Sequence, residues 1–184
     1  TESDILIDIE NITGSSVGDD ITGNDYINTL LGMAGADTLK GEGGADYIDG
    51  GADNVSIYGG ADDDSIYGGS GDDTLSGEAG KDTLRGGTHT ITTGLEGSGD
   101  PLSGKGDTAS YSYLDTGTNK IVVNLASNSN QAIVYDGSTA STTDIDQLID
   151  IENINGTKND DTMTGNSANN SLIGNAGNDL FYGS

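Results

Sequence analysis

Apolar residues fall on a nine-residue beat. Ile21, Leu30, Leu39, Ile48, Ile57, Ile66, Leu75 and Leu84 each stand seven places after a glycine of the series Gly14, Gly23, Gly32, Gly41, Gly50, Gly59, Gly68 and Gly77, and Gly86 closes the series. Polar residues flank most of these aliphatics, as in Thr74-Leu75-Ser76. That alternation predicts a minimal strand of three residues whose middle side chain faces inward. The rest of each repeat, GGSGDD at 68–73 for example, predicts a turn that needs positive φ and close backbone approach. The same frame returns at Gly156, Gly165, Gly174 and Gly183, with Met163, Leu172 and Phe181 as its apolar residues. Two turn–strand units make one coil of 18 residues, and stacked coils line the aliphatics up in two thin ladders between parallel strands.

The sixth position of each repeat carries the chemistry. In the first block it is Asp19, Asn28, Asp37, Asp46, Val55, Asp64, Asp73 and Asp82; in the second it is Asp161, Asn170 and Asp179. Stacking the coils places these side chains about 4.8 Å apart, the spacing of paired strands. Bare carboxylates at that distance repel, whereas Ca²⁺ between turns would find the oxygen ligands it prefers. Acidic pairs one coil apart are Asp19/Asp37, Asp46/Asp64, Asp64/Asp82 and Asp161/Asp179. Asn28 and Asn170 offer a neutral oxygen, Val55 offers none unless Asp53 or Asn54 compensates, and Asp53 and Asp62 stand where other turns have their fourth-position glycine.

Composition agrees with a fold that needs more than apolar burial. Of 184 residues 31 are Gly, one is Pro and none is Cys, and the net charge is -25. Such acidity repels phosphate backbones and anionic membrane surfaces, so nucleic acid is excluded as a partner. No apolar run is long enough to insert in a membrane. The absence of Cys excludes a disulfide framework and a thiolate zinc site. One His and one Arg leave little material for acid–base catalysis, and no nucleophile–base set is present.

The pattern G-G-x-G-x-D-x-U-x, as in GGSGDDTLS at 68–76, resembles the haemolysin-type calcium-binding repeat of RTX proteins. That resemblance implies an all-β, right-handed parallel β-roll solenoid with Ca²⁺ held between stacked Gly/Asp turns by turn carbonyls and sixth-position Asp. Carried over position by position, the metal ligands are Asp19, Asp37, Asp46, Asp64, Asp73, Asp82, Asp161 and Asp179, and at least four ions are expected.

Four segments are expected: 1–13 as a lead-in strand or cap, 14–87 as a roll block of eight nonapeptides, 88–155 as a loop and broader β-coil insertion, and 156–184 as a second, truncated roll block. Residues 4–41 match 146–183 at 20 of 38 positions, around a shared LIDIENI whose Ile7, Ile9 and Ile12, like Ile149, Ile151 and Ile154, read as a strand leading into a roll. The chain stops as another nonapeptide opens, so a longer parent is expected. Within 88–155, residues 88–103 read as a surface loop. Alternation then predicts strand faces of Ala109, Tyr111 and Tyr113, of Ile121, Val123 and Leu125, and of Ile133 and Tyr135. His89 reads as a surface residue, and Asp100-Pro101 as part of the loop rather than a self-cleaving bond.

The reading that follows is a non-enzymatic, monomeric calcium-binding structural module. The resemblance implies a bacterial parent, secreted or at the cell surface, exported by a type I system and folding on Ca²⁺ outside. A competing reading is an adhesin or carbohydrate-binding module with a cell-surface or polysaccharide ligand. Tyr58 and Tyr67, at one strand position in adjacent repeats, favour it, and the scarcity of basic residues opposes an anionic polysaccharide groove.

Overall fold

Alternate strands go to alternate sheets, as an 18-residue coil requires. The computed structural model describes residues 9–88, 106–114, 117–126, 131–136 and 139–183; Ile7, His89 and Asp100-Pro101 lie outside them. One sheet has the order β1 (Asn11–Thr13), β3 (Thr29–Leu31), β5 (Tyr47–Ala52), β7 (Ser65–Ser70), β9 (Thr83–Thr88), β13 (Thr139–Ile149), β12 (Gln131–Asp136), β11 (Asn119–Asn124), β15 (Thr162–Thr164) and β17 (Leu180–Tyr182). The other runs β2 (Asp20–Asn24), β4 (Thr38–Gly43), β6 (Ser56–Ala61), β8 (Thr74–Ala79), β10 (Thr108–Ser110), β14 (Asn153–Asn155) and β16 (Leu172–Ile173). Nearly every pairing is parallel and steps by one coil: Ile21 faces Leu39, Ile57 and Leu75 in turn, and Ile12 faces Leu30, Ile48, Ile66 and Leu84. The result is the all-β, parallel β-roll expected from the repeat.

The core is the pair of ladders. Leu30, Leu39, Ile48, Ile57, Ile66, Leu75 and Leu84 are fully buried, and one such side chain per repeat is the whole apolar contribution of most coils. The mid-roll strands span six residues rather than three, because their glycines continue the parallel ladder; Gly51 pairs with Gly69 and Gly60 with Glu78.

The roll continues through the insertion. Leu148 stacks on Leu84, while Ala109 sits between Leu75 and Ile154 and so keeps the second ladder unbroken. An antiparallel hairpin, β11–β12, is spliced into the first sheet between β13 and β15. Ile121, Val123 and Leu125 are buried as the alternation predicts. The face predicted for β12 is reversed: Ala132 and Val134 are buried, because cross-strand partners share a face and theirs are Val123 and Ile121. The strand predicted through Tyr113 ends at Ser110, and a 3₁₀ turn over Ser112–Leu114 carries the chain away with Tyr111 and Leu114 buried. The duplicated IENI segments lie on opposite sheets, Ile12 pairing with Leu30 in one and Ile154 with Leu172 in the other. Ile9, expected within the first of these strands, is exposed and precedes β1.

Candidate metal centre

Six of the eight turns in the first block need backbone that L-residues seldom adopt. From residue 32 to residue 82 the second position of the repeat has positive φ (Met33, Glu42, Gly51, Gly60, Gly69, Glu78), and so has the fourth (Gly35, Gly44, Asp53, Asp62, Gly71, Gly80). Asp53 and Asp62 adopt φ of 71° and 77°, so these substitutions leave the turn intact; Asp is among the few side chains that tolerate this region. The first position is glycine for a different reason. A Cβ on Gly59 would collide with Asp64 Oδ2 and with the Gly77 carbonyl oxygen of the next coil.

This geometry draws the sixth-position side chains inward. Asp37, Asp46, Asp64, Asp73, Asp82 and Asp161 are buried, and Asp19 and Asp179, at the two ends, are half-buried. One carboxylate oxygen of each of these Asp except Asp19 accepts a main-chain N–H from a neighbouring strand. Asp19 N–H donates to Asp37 Oδ1 at 2.8 Å, Asn28 to Asp46 at 2.7 Å, Asp46 to Asp64 at 2.8 Å and Asp64 to Asp82 at 2.9 Å. Val55 N–H serves Asp73 at 3.0 Å and Asp161 N–H serves Asp179 at 3.0 Å.

The other oxygen is left over. Asp37, Asp46, Asp64, Asp73 and Asp82 each bury an Oδ2 that has no hydrogen-bond partner. Buried carboxylate oxygens are costly to leave unpaired. Burial accordingly raises the carboxyl pKa of Asp46 and Asp73 to about 6. For Asp64 the value rises to about 8, through desolvation first and then through the charges of Asp82 and Asp46 on either side. Asp82 and Asp146, in contact through one main-chain N–H, are both pushed up by desolvation.

Two members of these stacks were missed in the sequence. Asp107 accepts the Asp73 N–H at 2.9 Å and buries an orphaned Oδ2, and Asp146 accepts the Asp82 N–H at 3.2 Å. They lie 34 and 64 residues beyond their partners, which hides them from an 18-residue spacing. The detectable signal is Asp two places before an inward apolar residue, in Asp107-Thr108-Ala109 and Asp146-Gln147-Leu148. Tyr111 O–H donates to Asp146 Oδ2 at 3.0 Å, so this carboxylate is satisfied within the protein.

Val55 interrupts one stack. It is buried, and its Cγ2 stands against Gly50 where other turns place Oδ2. Asp53 and Asn54 instead accept N–H groups of Gly35 and Asp72 from neighbouring turns.

Among the described residues, no three His, Cys, Asp or Glu side chains converge as a metal cluster. A cation here would therefore meet one or two carboxylates together with main-chain carbonyls, an all-oxygen set suited to Ca²⁺. The orphaned Oδ2 atoms fit such an ion and give it a reason to bind. Among the described residues, no helix is long and apolar enough to cross a membrane.

Comparison with protein families agrees with the site. The profile of the RTX calcium-binding nonapeptide repeat (4 copies) matches residues 22–57, 58–88 and 155–184, just over half of the chain. A search of curated proteins gives no match. The chain belongs to the RTX calcium-binding repeat family, and it is a calcium-binding structural module.

Proposed function

We propose that this RTX repeat chain is a non-enzymatic folding module, open where calcium is scarce and closed into the β-roll where calcium is millimolar. On this reading the chain leaves a bacterial cell unfolded through a type I system and serves as a rigid part of a secreted or surface protein. The observation that carries the proposal is the row of buried Oδ2 atoms without partners on Asp37, Asp46, Asp64, Asp73 and Asp82. These carboxylates, with turn carbonyls, would hold at least four ions. Calcium supplies positive charge and oxygen coordination where the polypeptide supplies neither. The side chains do the rest: Oδ1 sets the coil register through the neighbouring N–H, and one aliphatic residue per repeat fills the centre. Metal binding and folding are then one equilibrium. The non-enzymatic reading is supported by a composition with one His, one Arg and no Cys.

The test is folding with and without the ion. Chelated protein is expected to show disordered circular dichroism and an enlarged hydrodynamic radius. Millimolar Ca²⁺ is expected to produce cooperative β-structure, and Mg²⁺, which demands tighter octahedral geometry, to substitute poorly. A chelated chain that stays compact and β-rich, with unchanged thermal stability, overturns the proposal.

A second reading, a glycan-contacting face, has one supporting observation. Tyr47 is 40% exposed, its ring centroid is 5.3 Å from that of Tyr67, and the Arg85 guanidinium stands 5.8 Å from the Tyr67 ring centre. The stripe expected from Tyr58 and Tyr67 does not form, because Tyr58 lies on the opposite sheet beside Lys40 and Ser76. Binding of neutral oligosaccharides that is lost in Tyr47→Ala would favour this reading.

A further inference from the structure

We infer that the turns of this chain are of two kinds, and that calcium enters only one of them. This rests on the calcium-binding reading above and adds which turns the ions use.

In four turns the second residue is a small polar one that closes the turn from within. Ser15 N–H donates to Asp19 Oδ2 at 2.6 Å, Asn24 N–H to Asn28 Oδ1 at 2.7 Å, Thr157 N–H to Asp161 Oδ2 at 2.7 Å and Asn166 N–H to Asn170 Oδ1 at 2.8 Å. The second residue's side-chain oxygen also accepts the N–H of the fourth: Val17 to Ser15 at 3.3 Å, Tyr26 to Asn24 at 2.8 Å, Asn159 to Thr157 at 3.0 Å and Ala168 to Asn166 at 2.9 Å. Ser15 and Thr157 hydroxyls add a second bond to their Asp, each at 3.0 Å. The sixth-position oxygen that faces the turn is thus capped by its own turn. In two of the four it is Asn, which leaves no charge to neutralise.

From residue 32 to residue 82 the second residue has instead swung to positive φ, and the Oδ2 that the closed turns cap is orphaned in every turn that has an Asp. Position two predicts the kind: Ser, Thr or Asn closes the turn, whereas Gly, Glu or Met opens it. Asn175 departs from this, with φ of 65° and its side-chain amide donating to Asn155 Oδ1 and to the Gly156 carbonyl, so the turn at 174–179 has the open backbone. Asp19 and Asp161, which the 18-residue spacing marks as ligands, sit in closed turns. Calcium goes to the open turns between residues 32 and 82 whose Asp buries an orphaned Oδ2, and the closed turns at 14–28 and 156–170 take no ion of their own.

The test compares calcium stoichiometry in the full chain by titration calorimetry. Because Asn28 and Asn170 already occupy closed turns, the Asp19→Asn, Asp161→Asn double variant is expected to bind as many ions as the parent, at an unchanged midpoint. Asp64→Asn, and independently Asp82→Asn, is expected to lose at least one ion, with a several-fold rise in the calcium midpoint. A parent that binds calcium and a double variant that loses ions overturns the partition alone. A parent that binds no calcium overturns both the partition and the function it rests on.

Discussion

Replacing Asp64 by Asn should stabilise the metal-free chain and weaken the calcium-bound one. Asp64 stands between Asp46 and Asp82, each one coil away, with all three buried. At about 5 Å and an effective dielectric of about 20, two like charges repel by about 3 kcal/mol, so two neighbours impose several kcal/mol on a fully ionised stack. Burial first, and then these neighbouring charges, raise the Asp64 carboxyl to about 8, so the folded chain holds a proton there, and taking up that proton at neutral pH also opposes folding. Asn incurs neither penalty. Its Oδ1 still accepts the Asp46 N–H, and the stack already accommodates Asn28. In chelator, Asp64→Asn is therefore expected to fold more stably than the parent by about 3 kcal/mol, the value of a single neighbour repulsion. In millimolar Ca²⁺ the order should invert, because a ligand is missing from two adjacent turns. The assay is circular dichroism: in chelator, where the parent is disordered, it follows the osmolyte concentration needed to induce β-structure, and in calcium it follows urea unfolding. A variant less stable than the parent in chelator would show that the carboxylates do not repel, and the account of the stack would fail.

Three further outcomes are expected. Carboxyls raised in the folded state contribute stability that is full below about pH 4 and is lost as pH rises through their folded values. With Asp46 and Asp73 at about 6, Asp107 at about 7 and Asp64 at about 8, the chelated chain should gain β-structure as pH falls from 8.5 to 5, at roughly constant low salt, and circular dichroism would follow it. Gly59→Ala should cost about 1–3 kcal/mol even in calcium, because its Cβ meets Asp64 Oδ2 and the Gly77 carbonyl, and a thermal midpoint equal to the parent's would contradict the packing. Tyr111→Phe removes the hydroxyl that donates to Asp146 Oδ2 and should destabilise the roll by about 1–3 kcal/mol, measured by urea midpoint.

The fold was legible because a single spacing encodes it. Gly at position one, Asp at six and an aliphatic at eight each answer one steric or polar demand, and repetition makes the answer unambiguous over residues 14–86. What escaped was anything the spacing does not carry. Asp107 and Asp146 join the stacks through three-dimensional adjacency, after an insertion of variable length. The buried face of β12 depended on its antiparallel partner, since Ile133 and Tyr135 are no less apolar than Ala132 and Val134. The difference between Asp19 and Asp37 lay at a position the repeat pattern leaves unspecified: Ser15 caps its Asp with N–H and hydroxyl, whereas Met33 has swung to positive φ.

Charge in this molecule is best understood by comparing Asp with Asn at one place. Both side chains can offer an oxygen to a main-chain N–H, and coil stacking asks for no more than that: Asp64 accepts the Asp46 N–H, and Asn153, one place nearer its inward residue, accepts the Ser171 N–H. Stacking alone therefore gives no reason for an anion. Yet Asp46, Asp64 and Asp82 occupy consecutive open turns, where each added carboxylate repels the last and leaves one oxygen bare. Where the turn supplies its own cap, as at Asn28 and Asn170, the charge is absent, and where Asp19 and Asp161 retain it, hydroxyl and N–H donors meet both demands. A destabilising charge placed where no protein donor reaches it is what a calcium ion would neutralise, and on the proposal above the open block of the roll is conditional on calcium.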